Sequence, residues 1–131
     1  MKIMAAYDGS NVAKEAVVVT QRHARAFGAE VHLVTSISGG SEVPRETFVQ
    51  TERDLDQLQQ EYFDANGIAC HTHALFRGLT PGEDLVRFAE ENGIDQIVMG
   101  VKRRSKVGKL LFGSTAQYVI LNAPCPVLTV R

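Results

Sequence analysis

Short apolar runs alternate along the chain with longer stretches of helical spacing, and glycine closes several of those stretches. Residues 3–7 form the first run. Residues 10–27 then carry Ala13, Ala16, Val17, Thr20 and Ala24 along one face. Gly28 follows, a residue that accepts the left-handed conformation just past a helix. Residues 31–37 read as a second strand. Residues 44–65 read as the longest helix, with Phe48, Leu55, Leu58 and Tyr62 at helical intervals and Asn66-Gly67 as its stop. Residues 68–76 read as a third strand. Thr80-Pro81-Gly82-Glu83 has the form of a capping box with proline at the first helical position, opening a helix that runs to about Glu91. Residues 94–99 and 126–130 read as the last two strands, with a helix from about Ser114 to Asn122 between them.

Strands that alternate with helices imply a parallel sheet with right-handed crossovers, an α/β fold of the doubly wound kind. The runs around Ile3, Val31 and Ile97 are almost continuously apolar, as expected where helices cover both faces of a sheet. The third strand, with His71 and His73 among smaller neighbours, fits a place near an edge. The 131 residues read as one domain, residues 1–131, without linker or low-complexity segment.

Charge and cysteine content narrow the function. With 14 basic and 15 acidic side chains the chain has a formal charge of −1, so no overall field attracts nucleic acid or an anionic membrane. Cys70 and Cys125 stand 55 residues apart and show no C-x-x-C spacing. They read as small apolar residues of a reducing compartment. The opening apolar run leads at once into Asp8-Gly9-Ser10 and is too short for a signal sequence or a membrane span, so a cytoplasmic location is expected.

Candidate chemistry gathers at two strand ends, where open parallel sheets bind their ligands. The first strand runs into Asp8-Gly9-Ser10. The fourth runs into Gly100 and then a loop with five cations, Lys102, Arg103, Arg104, Lys106 and Lys109, before Gly113-Ser114 at a helix start. Glycine lets a backbone approach a phosphate, a helix N-terminus offers unpaired N–H groups, and lysine and arginine add charge. The combination suits a nucleotide polyphosphate.

The segment from Val98-Met99-Gly100 to Gly113-Ser114 resembles the nucleotide loop of the universal stress protein family, whose ATP-binding members show G-x2-G-x9-G-[S/T]. Tyr7-Asp8-Gly9-Ser10 and Ala123-Pro124-Cys125-Pro126-Val127-Leu128 resemble the two ends of the same family. The resemblance covers the whole chain. It implies a five-stranded sheet in the order 3-2-1-4-5, flanked by four helices. It implies a binding protein for ATP, with Mg²⁺ as its companion ion; efficient hydrolysis is not expected, because no residue outside the loop is an obvious base to orient water. It also implies a homodimer through the edge strand Val127–Val130. Carried over by position, Asp8 contacts the nucleoside and Ser36 lies where backbone meets adenine. Gly100, Gly113 and Ser114 hold phosphates, with Lys102, Arg103 and Lys106 as charge partners. Arg103 departs from the pattern by standing where the family has its second glycine, although the spacing on either side is kept.

That departure keeps a second reading open, a dimeric interaction module of the same family that binds no nucleotide. A receiver-like signalling domain fits less well, because Arg77-Gly78 stands where such a domain needs an acid after its third strand. His71 and His73 share one strand face but lack a third ligand, so no metal site is expected. Cys125, between two prolines and with no base beside it, reads as packing rather than as a nucleophile.

Overall fold

The computed structural model describes residues 1–102 and 113–131. Five parallel strands form one sheet in the order β3-β2-β1-β4-β5: β1 (Lys2–Ala6), β2 (Glu30–Ser36), β3 (Cys70–Leu75), β4 (Gln96–Gly100) and β5 (Val127–Val130). The helices are α1 (Asn11–Phe27), α2 (Arg45–Leu58), α3 (Pro81–Glu91) and α4 (Ser114–Asn122).

Alternation along each inner strand divides the apolar side chains between two layers. Ile3, Ala5, Val31, Leu33 and Val98 pack with Ala16 and Val17 of α1 and Leu55 and Leu58 of α2. Met4, Val34, Ile97 and Met99 point to the opposite face and pack with Leu85 and Phe88 of α3 and Ala116 and Val119 of α4. β1 pairs with both β2 and β4, and the winding reverses between them. A crevice therefore opens beyond the carboxyl ends of β1 and β4.

The expected helix over residues 44–65 is in fact three pieces. Regular α-helix ends at Leu58, a π-helical turn spans Gln59–Phe63, and a 3-10 turn spans Asp64–Asn66. Leu58 and Phe63 are five positions apart and both buried. Regular α-helix would turn them well away from each other, whereas a turn closed by i→i+5 bonds brings them onto one face. Core packing thus selects the wider turn. The third strand is also shorter than residues 68–76, because pairing with β2 begins at Val31 against Cys70 and ends at Ser36 against Leu75. β3 and β5 are the two edges, as the sequence pattern and the family resemblance led one to expect.

Candidate functional site

The chain leaves β1 through Tyr7, whose N–H still donates to the Val34 carbonyl at 2.9 Å. Asp8 then folds back, one carboxylate oxygen accepting from the Ser10 N–H at 2.9 Å. The Ser10 hydroxyl accepts from the Ala13 N–H at 3.2 Å and caps α1. Ser10 thus closes the helix while Asp8 stays at the rim of the crevice.

Gly100, the last residue of β4, faces the start of α1. A Cβ there would lie 2.7 Å from the Val12 carbonyl carbon and oxygen. Close packing of backbone on backbone therefore demands this glycine before any ligand is considered. Gly113 is different. A Cβ at that position would meet nothing within 4 Å, and its φ of −63° suits any residue. Gly113 is the N-cap of α4 and supplies no side-chain hydrogen bond to the amides of the first turn.

Two cavities adjoin at this crevice. One, of about 310 Å³, is lined by Ala6, Val34, Pro81, Leu85 and Met99, with Ser36 and Ser38 among its polar residues. The other, of about 480 Å³, is lined by Val101, Lys102, Gly113 and Ser114. Asp8, Met99, Gly100 and Thr115 border both. Of the expected site residues, Asp8, Ser36, Gly100, Lys102, Gly113 and Ser114 thus surround one crevice. Arg103 and Lys106 lie outside the described residues. Thr115 and the apolar wall from α3 were not anticipated. The helix start at Thr80-Pro81, just after the third strand, was the available signal for that wall.

Behind the first cavity lies a buried carboxylate, paired with an exposed arginine, that the sequence reading missed. Asp84, in the first turn of α3, is 1% exposed. One of its carboxylate oxygens accepts from Arg77 Nε at 2.6 Å and the other from the Ser36 hydroxyl at 2.7 Å. The Arg77 guanidinium also donates to Glu91 at 2.6 Å and to the Asp84 carbonyl at 3.2 Å. Glu91, followed by Asp84, raises the pKa of Arg77 against the opposing effect of burial. A charged residue on the sheet-facing side of α3, beside Leu85 and one turn from Pro81 and Phe88, was the sequence signal.

His71 and His73 do share a strand face, and β2 adds His32 to them. His32 Nδ1 lies 2.9 Å from His73 Nε2, and His32 Nε2 lies 2.8 Å from the Glu30 carboxylate. His71 stands 3.5 Å from the same carboxylate. Burial beneath Phe88 of α3 lowers the pKa of His32 and His73, although the Glu30 hydrogen bond opposes the shift at His32. Among the described residues, no three or more His, Cys, Asp or Glu side chains are grouped to hold a metal ion. Burial also pushes the Cys70 thiol up to about 12 and raises Cys125. Neither thiol is the activated kind.

A family model described as the universal stress protein family matches residues 1–131. A universal stress protein of Thermus aquaticus is 34% identical over 134 residues, covering 98% of this chain and 97% of that protein. The solved structure of a universal stress protein from Archaeoglobus fulgidus superposes with a TM-score of 0.86 at 32% identity, covering 100% of this chain and 93% of that one. A second Archaeoglobus fulgidus structure, described as a complex with dAMP, gives 0.84 at 30% identity, covering 100% of this chain and 98% of that one. No described helix is long and apolar enough to cross a membrane.

Proposed function

The chain belongs to the universal stress protein family, and from that premise we propose that it binds ATP, accompanied by Mg²⁺, in the crevice between β1 and β4. One observation carries this reading. Among the described residues no side chain caps the N-terminus of α4, which borders a cavity that shares lining residues with an apolar-walled one. The first four N–H groups of a helix lack partners within it, and anions are favoured there. Gly113, Ser114, Lys102 and the backbone at Gly100 hold the phosphates. Asp8, at the junction of the two cavities, holds the ribose. The base occupies the cavity walled by Val34, Pro81 and Leu85, beside Ser36. Arg103 and Lys106 supply further charge. A relative 30% identical to this chain is described in complex with dAMP, which supports a nucleotide of this class.

The protein acts by binding. Asp8 is the one acidic side chain among the described residues lining the two cavities, and its carboxylate is held by the Ser10 amide. Efficient phosphoryl transfer to water needs a group placed to orient that water. ATP instead biases the conformation or partner choice of a regulatory, stress-response protein. That protein is a homodimer joined along β5, in a cytoplasm where its free thiols stay reduced. A nucleotide-free interaction module is the second reading, and Arg103 in place of the motif glycine favours it.

Calorimetric titration with Mg·ATP of the wild type and of Gly113→Asp tests the proposal. The open space around Gly113 lets the variant fold, and an aspartate there caps α4 itself and repels phosphate. Micromolar binding by the wild type and none by the folded variant is the expected result. A folded wild type that ignores millimolar ATP would leave only the second reading.

A further inference from the structure

His32 of β2 and His73 of β3 meet beneath α3, and their hydrogen bonds fix where the protons sit. His32 Nε2 lies 2.8 Å from the Glu30 carboxylate, which only accepts, so that nitrogen carries a proton. In a neutral imidazole the other nitrogen then accepts. His32 Nδ1 is 2.9 Å from His73 Nε2, so His73 is the donor between them. A chain of donors thus runs from His73 through His32 to Glu30. Phe88 of α3 closes it from above, its ring centroid 4.7 Å from that of His73 and 6.0 Å from that of His32. His32 is 7% exposed, so a partner lost there is not replaced by solvent.

We propose that this histidine pair is an acid-sensitive latch on α3, and that its protonation loosens the helix and with it the wall of the first cavity. One added proton is tolerated. His32 becomes a donor at both nitrogens, His73 shifts its own proton to Nδ1 and accepts, and Glu30 balances the charge. A second proton turns both facing nitrogens, 2.9 Å apart, into donors, and two cations then repel in a space largely closed to water. No nearby group among the described residues neutralises the second charge. Lys2 of β1 and His71 of β3 act on His32 with the wrong sign, and Glu30 is shared between His32 and His71. On α3, Asp84 and Glu91 are engaged by Arg77, while Glu83, Arg87 and Glu90 are exposed. A backbone ladder from Val31 against Cys70 to Ser36 against Leu75 ties β2 to β3, whereas side chains hold α3 onto the sheet, so the helix yields first. Phe88 follows Leu85 by one turn, and Pro81 opens the same helix; Leu85 and Pro81 both line the cavity. The latch acts on the wall whatever molecule the crevice holds, and it goes beyond the nucleotide reading in that respect.

Amide hydrogen exchange across pH tests the latch, with each rate divided by the intrinsic rate at that pH and folding checked by circular dichroism. α1, on the opposite face of the sheet, is the internal reference. Below the ordinary histidine value of 6.5, an opening that takes up one proton becomes about tenfold easier per pH unit. Between about pH 7 and about pH 5 the amides of Leu85 to Glu91 should therefore accelerate about tenfold or more relative to those of α1. His73→Gln removes the acceleration, because its amide turns either its oxygen or its NH2 toward His32 and takes up no proton. Equal acceleration of α1 and α3 in the wild type would mean that acid weakens the whole fold, and overturns the latch. So does an acceleration that persists in His73→Gln, which would place the proton elsewhere, as at Asp84. Should His73→Gln not fold, ring-proton NMR titration of the folded wild type decides: the latch requires His32 and His73 to titrate below 6.5, and a pair that titrates at or above that value overturns it.

Discussion

A single methyl group separates two glycines of one motif into different roles. At position 100 it would sit 2.7 Å from the Val12 backbone, whereas at position 113 it would meet nothing. Gly100→Ala is therefore expected to lower stability by about 1–3 kcal/mol, the usual cost of forcing volume into a packed contact. Gly113→Ala is expected to change stability little. Urea denaturation of both variants checks the contrast, and equal midpoints would mean that α1 does not press on Gly100 in solution. Both glycines and their spacing were legible in the sequence, but their separate reasons were not. The pressing atom at Val12 lies 88 residues away in the chain. The Ser36–Asp84 bond was hidden for the same reason, since its partners are 48 residues apart. Sequence spacing showed an acid on the sheet-facing side of a helix but could not say which strand residue would meet it.

At the scale of elements, β2 and β3 bring together a titrating cluster that neither carries alone. Folding holds the pKa of His32 and His73 below the ordinary histidine value of 6.5, chiefly through burial. Below that value the unfolded chain takes up protons that the folded one refuses. Their contribution to stability is thus complete above 6.5 and is lost as pH falls toward their folded values. Around them stand His71 of β3, Glu30 of β2 and Lys2 of β1, with the Phe88 ring of α3 above. Stability by chemical denaturation should decline as pH drops below the ordinary histidine value, and His32→Gln/His73→Gln should flatten that decline. An equally steep profile in the double variant would assign it to other groups. The elements themselves were largely readable: caps at Ser10 and Thr80 and the stop at Gly28 are local signals that act within one turn. The π turn after Leu58 was not, because burial of both Leu58 and Phe63 is decided by the sheet and α1, not by helical spacing.

At the scale of the molecule, two edges remain, and they differ. β3 shows His71 and Thr72 at its surface, while β5 is the short run Val127-Leu128-Thr129-Val130. An open apolar edge favours pairing with another chain. In β5 the ladder to β4 includes bonds accepted by the Pro126 and Val130 carbonyls, so alternation turns the Val127 and Thr129 amides outward. Thr129→Pro removes one outward donor without touching the β4 ladder. Light scattering after size exclusion should show a dimer for the wild type and a monomer for the folded variant. A monomeric wild type would end the dimer proposal.

Sequence alone determined the order of elements, the parallel winding and the two strand ends at which candidate chemistry gathers. Those follow from apolar periodicity, helix stops and chain-order handedness, all of which act over a few residues or one crossover. It also carried the G-x2-R-x9-G-S spacing that marks the loop. Tertiary structure decided which face each polar residue of the core would meet. It joined Ser36 to Asp84 and Arg77, His32 to His73, and Gly100 to Val12. A buried polar group must find its partner wherever the packed layers place one, and that partner lies on another element, at a separation no local pattern encodes.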